Sequence, residues 1–141
     1  MTKQRSFVMV KPDGVKKGVA WECLQRFENS GLKIIASKLI LMRRQQAERL
    51  YREHKARKFY PGLVKFALSG PAVVNVVQGN NAVKKVRKII GPTNPKNAPK
   101  GTIRGDFGSV LPFNIIHASD SPKSAGREIL IFFKHSEMVK R

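Results

Sequence analysis

His117 stands where the apolar run Asn114-Ile115-Ile116 gives way to the small polar cluster Ser119-Asp120-Ser121, in the stretch NIIHASDS. An uncharged imidazole near pH 7 can attack an electrophile, bind a metal or simply pack. A metal would call for further His, Cys or carboxylate ligands at matching spacing. His54 and His135 are distant in sequence, no HxH or HxxxH pair exists, and Cys23 is the only cysteine. By residue type alone, a lone histidine near the end of an apolar strand is more often a packing residue than a catalyst.

Phosphate chemistry suits the neighbours better. Ser119, Asp120 and Ser121 lead into a helical pattern whose first N–H groups could receive an anion. Glu128 follows His117 by eleven residues on that helix. A carboxylate there could point back towards the histidine loop and fix the ring's tautomer; its plainer reading is a surface residue. Lys11 follows a strand, and Arg87 and Arg104 flank a long loop. Guanidinium forks match phosphate oxygens, and a transferring phosphoryl group needs fixed donors for its developing charge. Singly, each would pass for a solvated cation in a chain with 28 Lys and Arg. No GxxxxGKS or GxxxxGKT occurs, so KPDG at 11–14 is a turn rather than a Walker loop.

These residues need elements to hold them. Arg5–Val10 is β-rich and ends at the turn residues Pro12, Asp13 and Gly14. Val19, Cys23, Leu24 and Phe27 predict one helix over 16–29, stopped by Gly31. Lys33–Met42 predicts a strand. Ala47, Leu50, Tyr51 and His54 recur at helical spacing, with a break near Tyr60–Gly62 and a further helix to Leu68. Val73–Val77 predicts a strand and Ala82–Ile90 a helix closed by Gly91-Pro92. The stretch 91–113 has no sustained period, and long irregular segments inside a domain are usually functional. Asn114–His117 predicts a brief strand. Asp120 or Ser121 can cap the last helix, with Pro122 in its first turn and Ala125, Ile129 and Phe132 inward. The order β-α-β-α-β-α-loop-β-α predicts one α/β sandwich spanning residues 1–141.

Length and a hydrophobic share of 41% predict a folded chain with a respectable core. Phe7–Val10 is too short for a signal-peptide core, and nothing approaches the roughly 20 apolar residues of a membrane span. A cytoplasmic protein without membrane insertion is the expectation. Charge is the anomaly: 28 basic against nine acidic residues give +19. Such a field draws polyanions, so a basic nucleic-acid-binding or regulatory protein is the rival reading. The basic runs Arg43-Arg44, Arg52–Lys58 and Lys84–Lys88 interleave few aromatic residues, which suits solvated helix faces better than base readers.

The assembled residues resemble those of nucleoside diphosphate kinases. NIIHASDS resembles the family's active-site motif, and FVMVKPDGV, SGP at 69–71, NPKNAPKGTIRGDF and SAGREILIFF follow in family order along essentially the whole chain. The short tail after Phe133 is similar to the bacterial form. The resemblance implies a ferredoxin-like α/β (α+β) sandwich, a four-stranded antiparallel sheet covered by helices. It implies ping-pong transfer of the γ-phosphate of a nucleoside triphosphate to a nucleoside diphosphate through a phosphohistidine at His117. Nδ1 would attack while backbone holds Nε2–H, and Glu128 with Ser119 would orient the ring.

Lys11 and Asn114 would meet the sugar hydroxyls, Lys11 also the phosphates. Tyr51, Arg87, Thr93 and Arg104 would hold the phosphates, bridged by Mg²⁺ that is itself held mainly by those phosphates. Phe59 would stack on the base beside Leu63 and Leu111. A homo-oligomer, tetramer or hexamer built from dimers, is also implied. Departures from the family pattern include Ala118 for a common glycine, Pro112-Phe113 ahead of Asn114, Lys58 beside Phe59, and the +19 charge, which favours nonspecific nucleic-acid binding at low salt.

Overall fold

A computed structural model describes residues 3–141. Four strands, β1 (Lys3–Val10), β2 (Lys33–Ile40), β3 (Ala72–Asn80) and β4 (Ile116–Ala118), form one antiparallel sheet in the order β2-β3-β1-β4. Central β1 is buried on both faces from Phe7 to Val10, which is why it reads as a continuous apolar run rather than an alternation. Register places Met9 opposite His117 and Val8 opposite Ala118.

Helices cover both faces. Val8, Val10, Val73 and Val77 pack with α2 (Ala20–Asn29), α5 (Ala82–Ile90) and Ile103 of α6 (Ile103–Phe107). Phe7, Met9, Val74 and Val76 pack with α3 (Arg44–Leu50), α4 (Tyr60–Ala67) and α7 (Pro122–Phe132). This is the expected ferredoxin-like sandwich. No helix among the described residues is long and apolar enough to cross a membrane.

Local differences have local causes. The helix expected over 16–29 is two: α1 (Pro12–Lys17) ends at Gly18, whose φ of 80° provides a left-handed cap, before α2 begins. Tyr60–Gly62 opens α4 instead of breaking the chain, because Pro61 fits a helix's first turn. The loop 91–113 is not wholly irregular. It holds a short 3₁₀ turn at Pro95–Asn97 and α6, whose cap Thr102 accepts the Gly105 N–H at 3.1 Å. Ser121 caps α7, accepting the Ser124 N–H at 3.1 Å.

Candidate active site

β4 brings His117 between the centre of the sheet and α7. The helix cap at Ser121 fixes the rotation of α7, and the buried face that carries Ala125, Ile129 and Phe132 also carries Glu128. His117 Nε2 lies 3.0 Å from Glu128 Oε1, and Ser119 Oγ donates to that same oxygen at 2.8 Å. A carboxylate can only accept, so Nε2 carries the proton and Nδ1 keeps its lone pair. The expected backbone hold on Nε2–H is thus replaced by a side chain. The reason is distance: Glu128 reaches the ring across the gap between β4 and α7.

Buried Glu128 keeps a counter-charge, with Arg127 NH2 3.6 Å from Oε2. Arg127 is itself held by the Arg49 carbonyl at 2.7 Å and by Glu53 at 3.5 Å. The ring is walled by Phe7 and by the edge of Tyr51, each 6.0 Å away between centroids. Burial first, then the Glu128 and Asp13 charges, push the Tyr51 phenol above its ordinary range, so it stays a neutral hydroxyl.

The cations converge on the strand's other flank. Arg104 NH2 donates to the Ile116 carbonyl at 2.7 Å and NH1 to the Gly91 carbonyl at 3.0 Å. Arg87 NH1 donates to the Ala118 carbonyl at 3.3 Å. Two guanidinium groups therefore brace the peptide groups on either side of His117. Arg104 is buried and its Nε has no hydrogen-bond partner among the described residues. Burial, then the nearby Arg87, lower its pKa to about 10.

Lys11 Nζ donates to Asn114 Oδ1 and to the Pro112 carbonyl, both at 2.8 Å, and lies 5.2 Å above the Phe66 ring. Burial lowers its pKa to about 8, against which the Asp13 charge raises it and Arg104 lowers it further. The two hydrogen bonds it donates do not offset the lost hydration. Asn114 Nδ2 in turn donates to the Thr93 carbonyl at 2.9 Å, tying the long loop to Lys11.

The residues expected around a base are looser. Phe59 is more than half exposed, with its ring 5.4 Å from His54, and Leu63 is half buried at the edge of the core. Leu111 is exposed, and the aromatic contact of its loop is Phe113 edge-on to Phe66 at 5.2 Å. Ala118 lies in β4, outside the positive-φ residues, so its methyl group is accommodated. Sequence reasoning passed over Phe66, Arg127 and Asp13. The signal for Asp13 was present, an acid directly after a strand, but it reads first as a turn residue.

Among the described residues no cluster of His, Cys, Asp or Glu is grouped to hold a metal by itself. A concavity of about 850 Å³ is lined by Asp13, Lys16, Phe66, Phe107 and Phe113 among others, and His117 does not line it. Convergence of cations and Glu128 on His117, not volume, marks this site.

The family model described as nucleoside diphosphate kinase matches residues 4–138. The nucleoside diphosphate kinase of Methanocaldococcus jannaschii is 52% identical over 139 residues, covering 99% of this chain and 99% of that one. The Aquifex aeolicus nucleoside diphosphate kinase structure superposes with a TM-score of 0.95 at 41% identity, over 98% of this chain and 100% of that chain. A halophilic nucleoside diphosphate kinase from Halobacterium salinarum, solved in complex with CDP, gives a TM-score of 0.96 at 40% identity over 99% and 93%.

Proposed function

This chain belongs to the nucleoside diphosphate kinase family and has that activity, and from this premise we propose that His117 carries the phosphoryl group. The observation that supports the reading is the Nε2 contact with Glu128, which leaves Nδ1 as the free nucleophilic nitrogen. In the first half-reaction the Nδ1 lone pair attacks the γ-phosphorus of a nucleoside triphosphate. The N–P bond forms as the bridging P–O bond breaks, and its electron pair leaves on the diphosphate. The ring gains positive charge, which the Glu128 carboxylate meets at 3.0 Å. In the second half a terminal oxygen of another nucleoside diphosphate attacks the phosphorus and the N–P bond returns its pair to Nδ1.

Arg104 and Arg87 hold phosphate oxygens, Lys11 spans phosphate and sugar, and Asn114 meets the sugar. Tyr51 and Thr93 complete the phosphate contacts. Phe59, with Leu63 and Leu111, offers an apolar platform that any base can use, as the CDP-bound halophilic relative takes a pyrimidine. The cations around His117 suit a nucleotide that would bring Mg²⁺ on its own phosphates, where the ion would supply charge neutralisation. The chain assembles into a homo-oligomer: edge strand β2 runs into exposed Leu39 (64%) and Leu41 (73%), and α2 exposes Trp21 (65%).

Incubation with γ-labelled ATP should give acid-labile, alkali-stable label that passes to GDP. Persistence of label in His117→Ala, or no transfer to GDP, would overturn the assignment.

A further inference from the structure

Ile115 is the strained point of the site. Its φ is 75°, a region that a β-branched residue avoids. The Ile116 N–H closes onto the Asn114 carbonyl at 2.8 Å, so Ile115 is the centre of a three-residue turn of the rare, strained kind. Such a conformation persists only where its surroundings impose it.

The KPDG segment, expected as a turn but found as the cap Lys11 and the first turn of α1, imposes it. The Lys11 backbone N–H donates to the Ile115 carbonyl at 2.8 Å, and the Ile115 N–H donates to Asp13 Oδ2 at 2.9 Å. Gly14 allows the approach: a Cβ there would lie 2.7 Å from Val10 Cγ1 and 3.0 Å from the Ile115 carbonyl oxygen. Asn114 stands immediately before the strained residue and β4, with His117, immediately after.

We infer that Asp13 is a positioning residue for phosphoryl transfer: its carboxylate holds the strained turn at Ile115 and faces Lys11, so that Asn114, His117 and the Lys11 ammonium are presented together. The inference rests on the roles proposed above for those three residues. Asp13 Oδ1 is buried and has no hydrogen-bond partner among the described residues. A carboxylate oxygen kept this way is costly unless its charge is used. Lys11 provides the use, since Asp13 raises its pKa against burial and against Arg104, the other charged group that faces it.

Two substitutions separate the tasks. Asp13→Asn keeps an oxygen for the Ile115 N–H and puts its amide nitrogen where Oδ1 has no partner among the described residues. It should label His117 in single turnover within about threefold of the parent rate, since the turn stays clamped. The alkaline limb of its kcat/KM profile should move to lower pH, because Lys11 has lost its counter-charge. Asp13→Glu keeps the charge but pushes the acceptor out by one methylene. It should leave the limb in place and slow labelling by about 10²-fold, the scale of a 1 Å misplacement.

Labelling at the parent rate by Asp13→Glu, or an unmoved limb in Asp13→Asn, overturns the inference. If Asp13→Glu does not fold, the Asp13→Asn profile decides. Loss of label transfer by the parent protein would instead overturn the site reading itself.

Discussion

Glu128 Oε1 accepts from two donors at once, His117 Nε2 at 3.0 Å and Ser119 Oγ at 2.8 Å, so one carboxylate oxygen fixes both the tautomer and the orientation of the ring. Glu128→Gln keeps an acceptor and loses the charge that meets the imidazolium-like ring. A hydrogen bond to a charged group contributes about 1.5–3 kcal/mol, so the rate of His117 labelling should fall roughly 10- to 100-fold. Quench-flow labelling at saturating ATP measures this, and an undiminished rate would detach Glu128 from the chemistry.

Lys11 sets an alkaline limit. Its pKa is lowered to about 8 by burial, so the free enzyme loses this charge as pH rises through 8. The kcat/KM profile should decline above about pH 8, since that ratio reports groups of the free enzyme. The kcat profile should extend further, because bound phosphates favour the ammonium. In the folding equilibrium the sign is opposite. The folded-state pKa lies below the unfolded value of 10.5, so this group opposes folding below pH 8, and the opposition lifts as pH rises from 8 to 10.5. Lys11→Met should remove the limb along with most of kcat/KM, and a parent profile flat to pH 10 would contradict the assignment.

Arg104 directs its fork at the Gly91 and Ile116 carbonyls while Nε has no partner among the described residues, a buried cation with unused donor capacity. ATP at 100 times its Kd should stabilise the parent protein by about 2.7 kcal/mol, a rise of roughly 5–10 °C in Tm for a chain of this size. Arg104→Lys, a point charge in place of a planar fork, should show a much smaller rise. Thermal melts with and without nucleotide measure the difference, and equal shifts would place the phosphates elsewhere.

Net charge should act through salt. With +19 on the chain, duplex DNA binding should be measurable at 50 mM salt and collapse by 200 mM, with no sequence preference. Phosphoryl transfer should survive the same change, because two of its cations, Lys11 and Arg104, are buried and screened little, although Arg87 is exposed. Fluorescence anisotropy with two unrelated duplexes tests it; retention of one duplex at high salt would speak for a dedicated binding role.

Much of the site was legible because its signals are local. Ser121 before Pro122 marks where α7 starts, and the period from Ala125 to Phe132 fixes which side of that helix is buried, and so where Glu128 points. Family likeness in NIIHASDS and TIRGDF supplied the roles. The divided first helix and α6 inside the loop were missed because each turns on single-residue features: the left-handed conformation at Gly18 and the side-chain cap of Thr102.

By itself, the sequence determined most of the element types, the buried faces and the excess of positive charge, since periodicity and composition are properties of neighbours along the chain, and it marked His117 as a candidate only through family likeness. Only the tertiary structure decided that Glu128 rather than backbone holds His117, that Arg87 and Arg104 brace the carbonyls beside it, and that Asp13 reaches Ile115 from 102 residues away. Those pairings exist because β1 lies between β3 and β4, which brings Lys11 and the start of α1 against the segment leading into His117. Contacts of that range are fixed by burying both faces of a sheet, and no local pattern of residues encodes them.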